Sequence, residues 1–184
     1  MTNMAEILEK PFEQIFQVSP RLDSGRGKIE FLRPLETAAA NEGTATLLNN
    51  TACIQFADAA TKEAYFNFIV PPNIQIKSMV FIWSTPATSG NLYWQVDIGE
   101  GGASEATNAR TTGGTAVATA ADGTANDLKY TEILGVSSGV NLSKLKQGGI
   151  RGNIWGIKFT RLGAHTSDTL TNTVNLYGIL IRYI

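Results

Sequence analysis

The stretch YFNFIVPPNIQIKSMVFIWSTPATSGNLYWQVDIG, residues 65–99, decides the fold because it contains three β-strand patterns in succession. In Tyr65–Val70 apolar and polar residues alternate, and Pro71-Pro72 then stops the strand because proline has no backbone N–H to donate. Ile76–Trp83 is almost continuously apolar, which indicates a strand covered on both faces. Asn91–Ile98 alternates cleanly, which predicts a strand with one buried face. Its inward row is predicted to hold Leu92, Trp94, Val96 and Ile98.

Composition sets the broad class of the protein. The 184 residues fit one domain, and only 17% of them are charged, below the usual quarter, which favours short strands over helices with salt-bridged faces. A formal net charge of -1 gives no general attraction to nucleic acid or to an anionic membrane. The single cysteine, Cys53, excludes an intrachain disulfide and is expected to be a small buried hydrophobe. No apolar run approaches the roughly 20 residues that span a bilayer, and glutamates near the N-terminus do not fit a signal peptide.

Residues 1–35 differ from the rest and are predicted to form an extended N-terminal docking arm, with residues 36–184 as the β-sandwich domain. Five large apolar residues lie in the first sixteen, at spacings compatible with one helical face, and basic residues follow them. The alternative is a floppy tail, but apolar groups left exposed usually mark an interface. The predicted docking residues are Ile7, Leu8, Phe12, Ile15, Phe16, Arg21, Arg26 and Arg33.

The remainder of the chain continues the strand pattern. Further strands are predicted at Leu128–Leu134, Ile150–Leu162 and Val174–Ile184, with Trp155 in the core, whereas Gly99–Asn126 reads as a long low-complexity loop. Seven or eight strands without a convincing internal helix predict an all-β fold: an antiparallel β-sandwich that is a jelly roll or a close relative. Apolar residues on both faces of several strands imply a second buried surface, for which a homo-oligomer is expected.

The sequence does not predict a catalytic, cofactor or metal site. The only histidine, His165, lies in a polar loop and has no nearby partner for metal binding or acyl transfer. Asp97 on a polar strand face and Glu100 in the following turn are interpreted as surface residues. Arg161 is expected to pack its stem inward while its head reaches water. Tyr93 points outward and is a possible ligand contact for a glycan.

Several local signatures in residues 50–184 resemble small β-sandwich proteins of tailed-phage virions. The resemblance implies a jelly-roll-like virion component without enzymatic residues, and it leaves the N-terminal arm unmatched. Its signatures are Phe56-Ala57-Asp58, Tyr65–Val70 before Pro71-Pro72, Val80–Trp83, Thr88–Val96, Gly148 before Trp155–Arg161, and Asp168-Thr169-Leu170 before Leu176–Arg182.

The resemblance, together with the lack of a predicted catalytic site, implies a non-enzymatic virion structural protein, made in a host cytoplasm. We expect a capsid decoration protein or a head-fibre or minor capsid component that forms a homo-oligomer, with a trimer favoured, and docks onto other virion proteins through its arm. One alternative is a single-jelly-roll major capsid protein. Another is a carbohydrate- or receptor-binding module that uses Tyr93 and the Gly99–Asn126 loop.

Overall fold

In the computed structural model, residues 27–37, 39–102, 110–134, 140 and 153–184 are described, and this part of the chain contains eleven β-strands and no helix. All pairings between them are antiparallel. The strands are β1 (Lys28–Leu32), β2 (Thr44–Leu48), β3 (Thr51–Phe56), β4 (Thr61–Val70), β5 (Ile76–Ser84), β6 (Asn91–Gly102), β7 (Arg110–Gly113), β8 (Val117–Ala120), β9 (Lys129–Glu132), β10 (Asn153–Leu162) and β11 (Val174–Tyr183).

The strands form two sheets in a jelly-roll order. The first sheet runs β2-β3-β11-β5-β9, with β1 also paired to β11, and the second runs β4-β10-β6-β7, with β8 also paired to β6. From β3 onward the pairs are nested, so that β3 pairs with β11, β4 with β10, β5 with β9, and β6 with β7 and β8. This nesting of early with late strands is a jelly roll, and the predicted fold class is confirmed.

The core lies between the sheets and is rich in aromatic side chains. Trp83, Trp94 and Trp155 are fully buried, as predicted for the last two. The ring of Phe81 from the first sheet lies 4.8 Å from Trp94 and 4.9 Å from Phe159, both in the second sheet. Such edge-on and tilted contacts between large rings stabilise the packing of one sheet on the other beyond area burial alone.

Strand β11 differs from its predicted pattern at Tyr177. The sequence predicts Leu176 and Leu180 on one face, but a register shift between Leu176 and Gly178 inserts an extra residue. Because a β-bulge reverses the alternation of side chains, Leu176 faces the core whereas Leu180 faces outward. The core residues beyond the bulge are Ile179, Ile181 and Tyr183.

The predicted loop Gly99–Asn126 is wrong in part, because strand β6 continues to Gly102 and both β7 and β8 lie within the loop. Both short strands pair with β6. Main-chain hydrogen bonds to β6 therefore hold this segment in place, although its sequence has few large side chains for packing. At β9, Leu128 and Tyr130 share one face as predicted, and this is the outer face, since both are exposed whereas Lys129 between them is buried.

The end of the predicted arm belongs to the sandwich. Strand β1 pairs with β11 over its whole length, and Leu32 is part of the core. Gly178 permits this pairing, because a side-chain carbon there would collide with the Phe31 ring and the Leu32 carbonyl. The division after residue 35 therefore needs correction, since residues 28–32 form a strand of the first sheet. Residues 1–26 lie outside the described residues.

Candidate interaction surface

One outer face of the sandwich is apolar at its centre, with Arg182 beside Ile29 and Glu132 beside Val80 at its border. On the first sheet, Phe31 pairs with Leu180, and Leu180 pairs with Val80, which places three apolar side chains in a row across β1, β11 and β5. Ile82 and Tyr130 pair in the next row. We call this surface the apolar outer face, and its members are Ile29, Phe31, Val80, Ile82, Tyr130 and Leu180.

The exposure of these side chains shows that the apolar outer face contacts solvent. Val80 and Leu180 are buried although they face away from the core. Around them, Ile29 is 49% exposed, Phe31 43% and Tyr130 38%. The exposed apolar side chains thus lie on both sides of the buried pair Leu180 and Val80. Apolar area that is left exposed on a sheet is typical of an interaction surface.

The outer face of the second sheet is polar at its centre. The Lys158 ammonium lies 3.3 Å from an Asp97 carboxylate oxygen and 3.6 Å from a Glu63 carboxylate oxygen. The Tyr65 hydroxyl donates to Glu63 at 2.6 Å. This hydrogen bond, together with burial and the negative charges of Glu63 and Glu42, raises the pKa of Tyr65 to about 12. The amide of Gln95 donates to Asp97 at 2.9 Å. Asp97 therefore faces outward as predicted, and the two outer faces differ sharply in polarity.

Arg161 and Asp168 form a fully buried ion pair at one end of the sandwich. The Arg161 Nε donates to one Asp168 oxygen at 3.1 Å and a terminal nitrogen donates to the other at 2.9 Å, so the pair is bidentate. Asp168 also accepts from the Tyr93 N–H at 3.1 Å. The expectation that the Arg161 head reaches water is wrong, because further contacts saturate it in the interior. These are the carbonyl oxygens of Phe56, Ala57, Leu170 and Asn172.

Lys129 is a second buried cation with a structural role. Its ammonium lies 2.9 Å from the exposed Asp122 carboxylate and donates to the carbonyl oxygens of Thr124 and Asp127 at 3.2 and 3.3 Å. It also lies 5.6 Å from the centre of the Trp83 ring. The hydrogen bond from Lys129 lowers the pKa of Asp122. The lysine thus fixes the 122–127 loop near the Trp83 ring. Neither its burial nor these contacts follow from the sequence pattern.

The structure places His165 and Tyr93 together. The imidazole of His165 is exposed and stacks on the Tyr93 ring, with centroids 4.6 Å apart and planes 28° from parallel. Its Nδ1 accepts from the Ser167 N–H at 3.1 Å. Tyr93 is half-buried and faces outward as predicted, but His165 covers one face of its ring.

No group of three or more potential metal ligands occurs among the described residues, and none of them forms a helix able to span a membrane.

Glu100 contradicts its prediction. It lies within β6 rather than in a turn, and its side chain is only 1% exposed. It follows Trp94, Val96 and Ile98 on the inward row, because the strand runs further than the glycine-rich sequence indicates. The interpretation of Glu100 as a surface residue is therefore wrong.

A cleft of about 440 Å³ separates the segment after β1 from the β2–β3 hairpin. Its lining includes Phe31, Leu47, Cys53 and Tyr177. Cys53 is buried as predicted, and burial raises the pKa of its thiol.

Of the predicted docking residues, Arg33 is exposed and also lines the cleft. The other seven predicted docking residues lie outside the described residues: Ile7, Leu8, Phe12, Ile15, Phe16, Arg21 and Arg26.

Neither a protein-family model nor a curated protein matches this chain. Among solved structures, it is similar to TmCBM61 in complex with β-1,4-galactotriose, with 9% identity and a TM-score of 0.33 over 85% of this chain and 88% of that one. It is also similar to chains from infectious bursal disease virus, Gt strain (12% identity, TM-score 0.36) and Gx strain (14%, 0.34), over 87% of this chain in both comparisons. The match spans 32% of each virus chain, about a third of its length. TM-scores this low carry no argument about function.

Proposed function

We propose that the protein is a non-enzymatic structural component of a tailed-phage virion. It acts as a capsid decoration protein or as a head-fibre or minor capsid component, and it assembles as a homo-oligomer, with a trimer favoured. Its N-terminal segment, residues 1–26, docks onto other virion proteins. The protein is made in the host cytoplasm and works in the particle.

The observation that carries this proposal is the apolar outer face. A single jelly roll needs one buried layer between its sheets, yet here the first sheet has apolar side chains on both sides. The outer face of the second sheet, by contrast, carries the Lys158 ion pairs. Association through the first sheet buries Ile29, Phe31 and Tyr130 and leaves the charged face in solvent, which is the arrangement that hydrophobic burial favours.

Measuring the mass of the full chain in solution tests the oligomer. Ile29→Asp combined with Tyr130→Asp places two charges on exposed positions of the apolar outer face, so folding is retained while association is lost. Tyr93→Asp, on the opposite sheet, is the matched control and leaves the oligomer intact. Light scattering coupled to size-exclusion chromatography gives the mass, and immunogold labelling of purified particles locates the protein. A wild-type monomer at all concentrations, or absence from the particle, would refute the proposal.

The strand order favours a second candidate, a single-jelly-roll major capsid protein. The nested pairing of β3 with β11 through to β6 with β8 forms a complete jelly roll, with β1 and β2 added to one sheet. This candidate requires closed shells to form from the purified chain alone. Electron microscopy of the concentrated protein separates the two candidates, since a decoration protein forms small oligomers without a shell.

The carbohydrate-binding alternative receives no comparable support. An aromatic platform needs an accessible ring face, and His165 covers one face of Tyr93. Glycan-array binding that is lost in Tyr93→Ala would revive this alternative.

A further inference from the structure

Strand β4 lies at the edge of the second sheet, and only half of that edge is covered. On one side β4 pairs with β10 along its full length. On the other side, the Leu35 N–H donates to the Tyr65 carbonyl at 2.8 Å, and the Gly43 N–H donates to the Glu63 carbonyl at 2.9 Å. The Glu63 N–H in turn donates to the Asn41 carbonyl at 2.8 Å. Leu35, Asn41 and Gly43 of the same chain thus cover the edge at residues 63–65.

The second half of the edge has unpaired main-chain groups. In an antiparallel edge strand, alternate residues direct their N–H and C=O groups away from the sheet. Since Glu63 and Tyr65 bond outward, the main-chain groups of Asn67 and Ile69 also point to the edge. Among the described residues, no main-chain partner bonds these groups on that side.

The open half also lacks the devices that normally protect an edge. Native sheets blunt exposed edges with charged residues, proline, bulges or very short strands. Pro71-Pro72 follows β4 and so limits its length without blocking Asn67 or Ile69. Here residues 64–76 contain no charged side chain, β4 is ten residues long, and its pairing with β10 has no bulge. Ile69 is 74% exposed and lies beside Ile154 of β10, which is 37% exposed. An uncharged edge without a bulge and with an exposed Ile69 favours pairing with another strand.

We propose that this edge pairs with the same edge of a second copy, antiparallel about a two-fold axis. The register follows from the groups that are unpaired. The Tyr65 carbonyl is already bonded to Leu35, so the symmetric register that uses only unpaired groups sets Asn67 opposite the partner subunit's Ile69. Ile69 then faces the partner subunit's Asn67, and each pair exchanges two main-chain hydrogen bonds.

The length of the strand fits this register. Each incoming strand ends at Val70, because Pro71-Pro72 follows and cannot continue a ladder. In this register Val70 lies opposite the partner subunit's Phe66. The incoming strand of one copy therefore ends one position before the partner subunit's Tyr65, whose edge position is already occupied by Leu35.

The role of this edge contact rests on the proposed function, because the contact would link trimers that the apolar outer face alone cannot join. A three-fold contact through the apolar outer face closes on itself and makes isolated trimers. A two-fold contact on the opposite sheet joins one trimer to the next. Because the two contacts use different sheets, one can fail in an experiment while the other persists.

Charge placement tests the contact and its register. In Asn67→Lys/Ile69→Lys, each lysine faces a lysine of the partner, so the two-fold species is lost. In Asn67→Lys/Ile69→Glu, each lysine faces a glutamate, so the two-fold species returns. Ile154→Lys is the matched control, because it adds a charge to the same outer face but on an interior strand, and it leaves association unchanged.

Asn67→Pro tests main-chain pairing directly, because it removes an N–H that points to the edge and not into the sheet. Sedimentation velocity over a concentration series measures association, and circular dichroism with thermal melting confirms the fold of each variant. We expect this variant to lose the two-fold species and keep a wild-type fold.

The inference would be overturned if the wild-type chain formed no species with twice the mass of the basic oligomer. It would also be overturned if Asn67→Lys/Ile69→Lys retained that species as well as Asn67→Lys/Ile69→Glu does. Ile29→Asp/Tyr130→Asp distinguishes the two proposals. Loss of the trimer with dimers retained leaves the edge contact intact, whereas trimers that never double refute the edge contact alone.

Discussion

The buried pair of Arg161 and Asp168 gives a quantitative test, because the same guanidinium also contacts an exposed carboxylate. Asp168 is fully buried and bonds Arg161 in bidentate geometry, whereas Asp58 lies 3.6 Å away and its side chain is 45% exposed. We therefore compare Asp168→Ala with Asp58→Ala. Both changes remove one carboxylate from one arginine, and they differ mainly in burial and geometry.

The expected magnitudes differ several-fold. Removing one member of a buried ion pair leaves an uncompensated charge, which costs about 3–5 kcal/mol of unfolding free energy. Asp168→Ala also removes the acceptor of the Tyr93 N–H. An exposed pair is worth about 0–1 kcal/mol, since water screens it, so Asp58→Ala has little effect. At about 2–4 °C per kcal/mol for a chain of this length, Asp168→Ala lowers the melting temperature by about 6–20 °C.

Thermal melting at one fixed protein concentration measures both variants, because association also shifts the melting temperature. Arg161→Met/Asp168→Leu is the informative third variant, since replacing a whole buried pair by apolar residues is often far less destabilising than breaking it. Its melting temperature is expected to exceed that of Asp168→Ala. Equal losses for Asp58→Ala and Asp168→Ala would refute the assignment of Arg161 as a buried structural cation.

Four further predictions follow from the described contacts. Trp155→Ala costs about 3–5 kcal/mol in denaturant unfolding, as expected for truncating a fully buried aromatic side chain; Trp155→Phe costs much less, because the indole N–H has no partner in the described structure. His165→Ala leaves folding and assembly unchanged, since only a surface stack on Tyr93 and a local hydrogen bond are lost; a lost hydrolytic activity would contradict this. Deleting residues 1–26 leaves a folded sandwich that no longer attaches to particles, and undiminished particle occupancy would move attachment to the sandwich. In an ultraviolet titration Tyr65 ionises at a higher pH than a free tyrosine, because its pKa in the folded state is raised from 10.0 to about 12. The stability linked to this shift is complete below pH 10.0 and falls as the pH rises towards about 12. Tyr65→Phe abolishes this pH dependence.

The sequence predicts the fold class well because the information is local. Alternation in Tyr65–Val70 and Asn91–Ile98 reports directly which side chains face the core, and the structure places Phe68 and Trp94 there. The bulge at Tyr177 has no local signal, because an extra residue is specified by the pairing of β11 with β5 and not by alternation. The sequence therefore assigned Leu180 to the face of Leu176.

Long-range partners account for the other differences. Arg161 and Lys129 are charged residues in otherwise strand-like segments, and the sequence predicts that the stem of Arg161 packs inward but that its head reaches water. Their burial depends on Asp168 and on the carbonyl oxygens of two loops, which only the folded chain brings within hydrogen-bonding distance. The inward row of Trp155, Ile157 and Phe159 correctly predicts that the Arg161 stem points inward, but it has no signal for the carboxylate that buries the head.

The arm shows the same limit at a domain boundary. Proline, glycine and basic residues in 17–34 indicate a segment without its own core, yet Lys28–Leu32 forms a strand because β11 offers it an edge. Deleting residues 1–35 would therefore remove Leu32 from the core together with the segment outside the described residues. Deletion of residues 1–26 is the cleaner test of docking, since it leaves β1 in place.

The small share of charged residues, 17%, has a structural consequence that bears on function. Charge on a sheet protein limits unwanted association, both on its faces and along its edges. In this chain the Lys158 pairs occupy the centre of the second sheet's outer face, the apolar outer face has charges only at its border, at Arg182 and Glu132, and the open half of the β4 edge has none. A solitary soluble protein gains nothing from two unprotected surfaces in different directions. Under the proposed assembly the two surfaces have separate roles, because one contact would set the oligomer and the other would connect neighbouring oligomers.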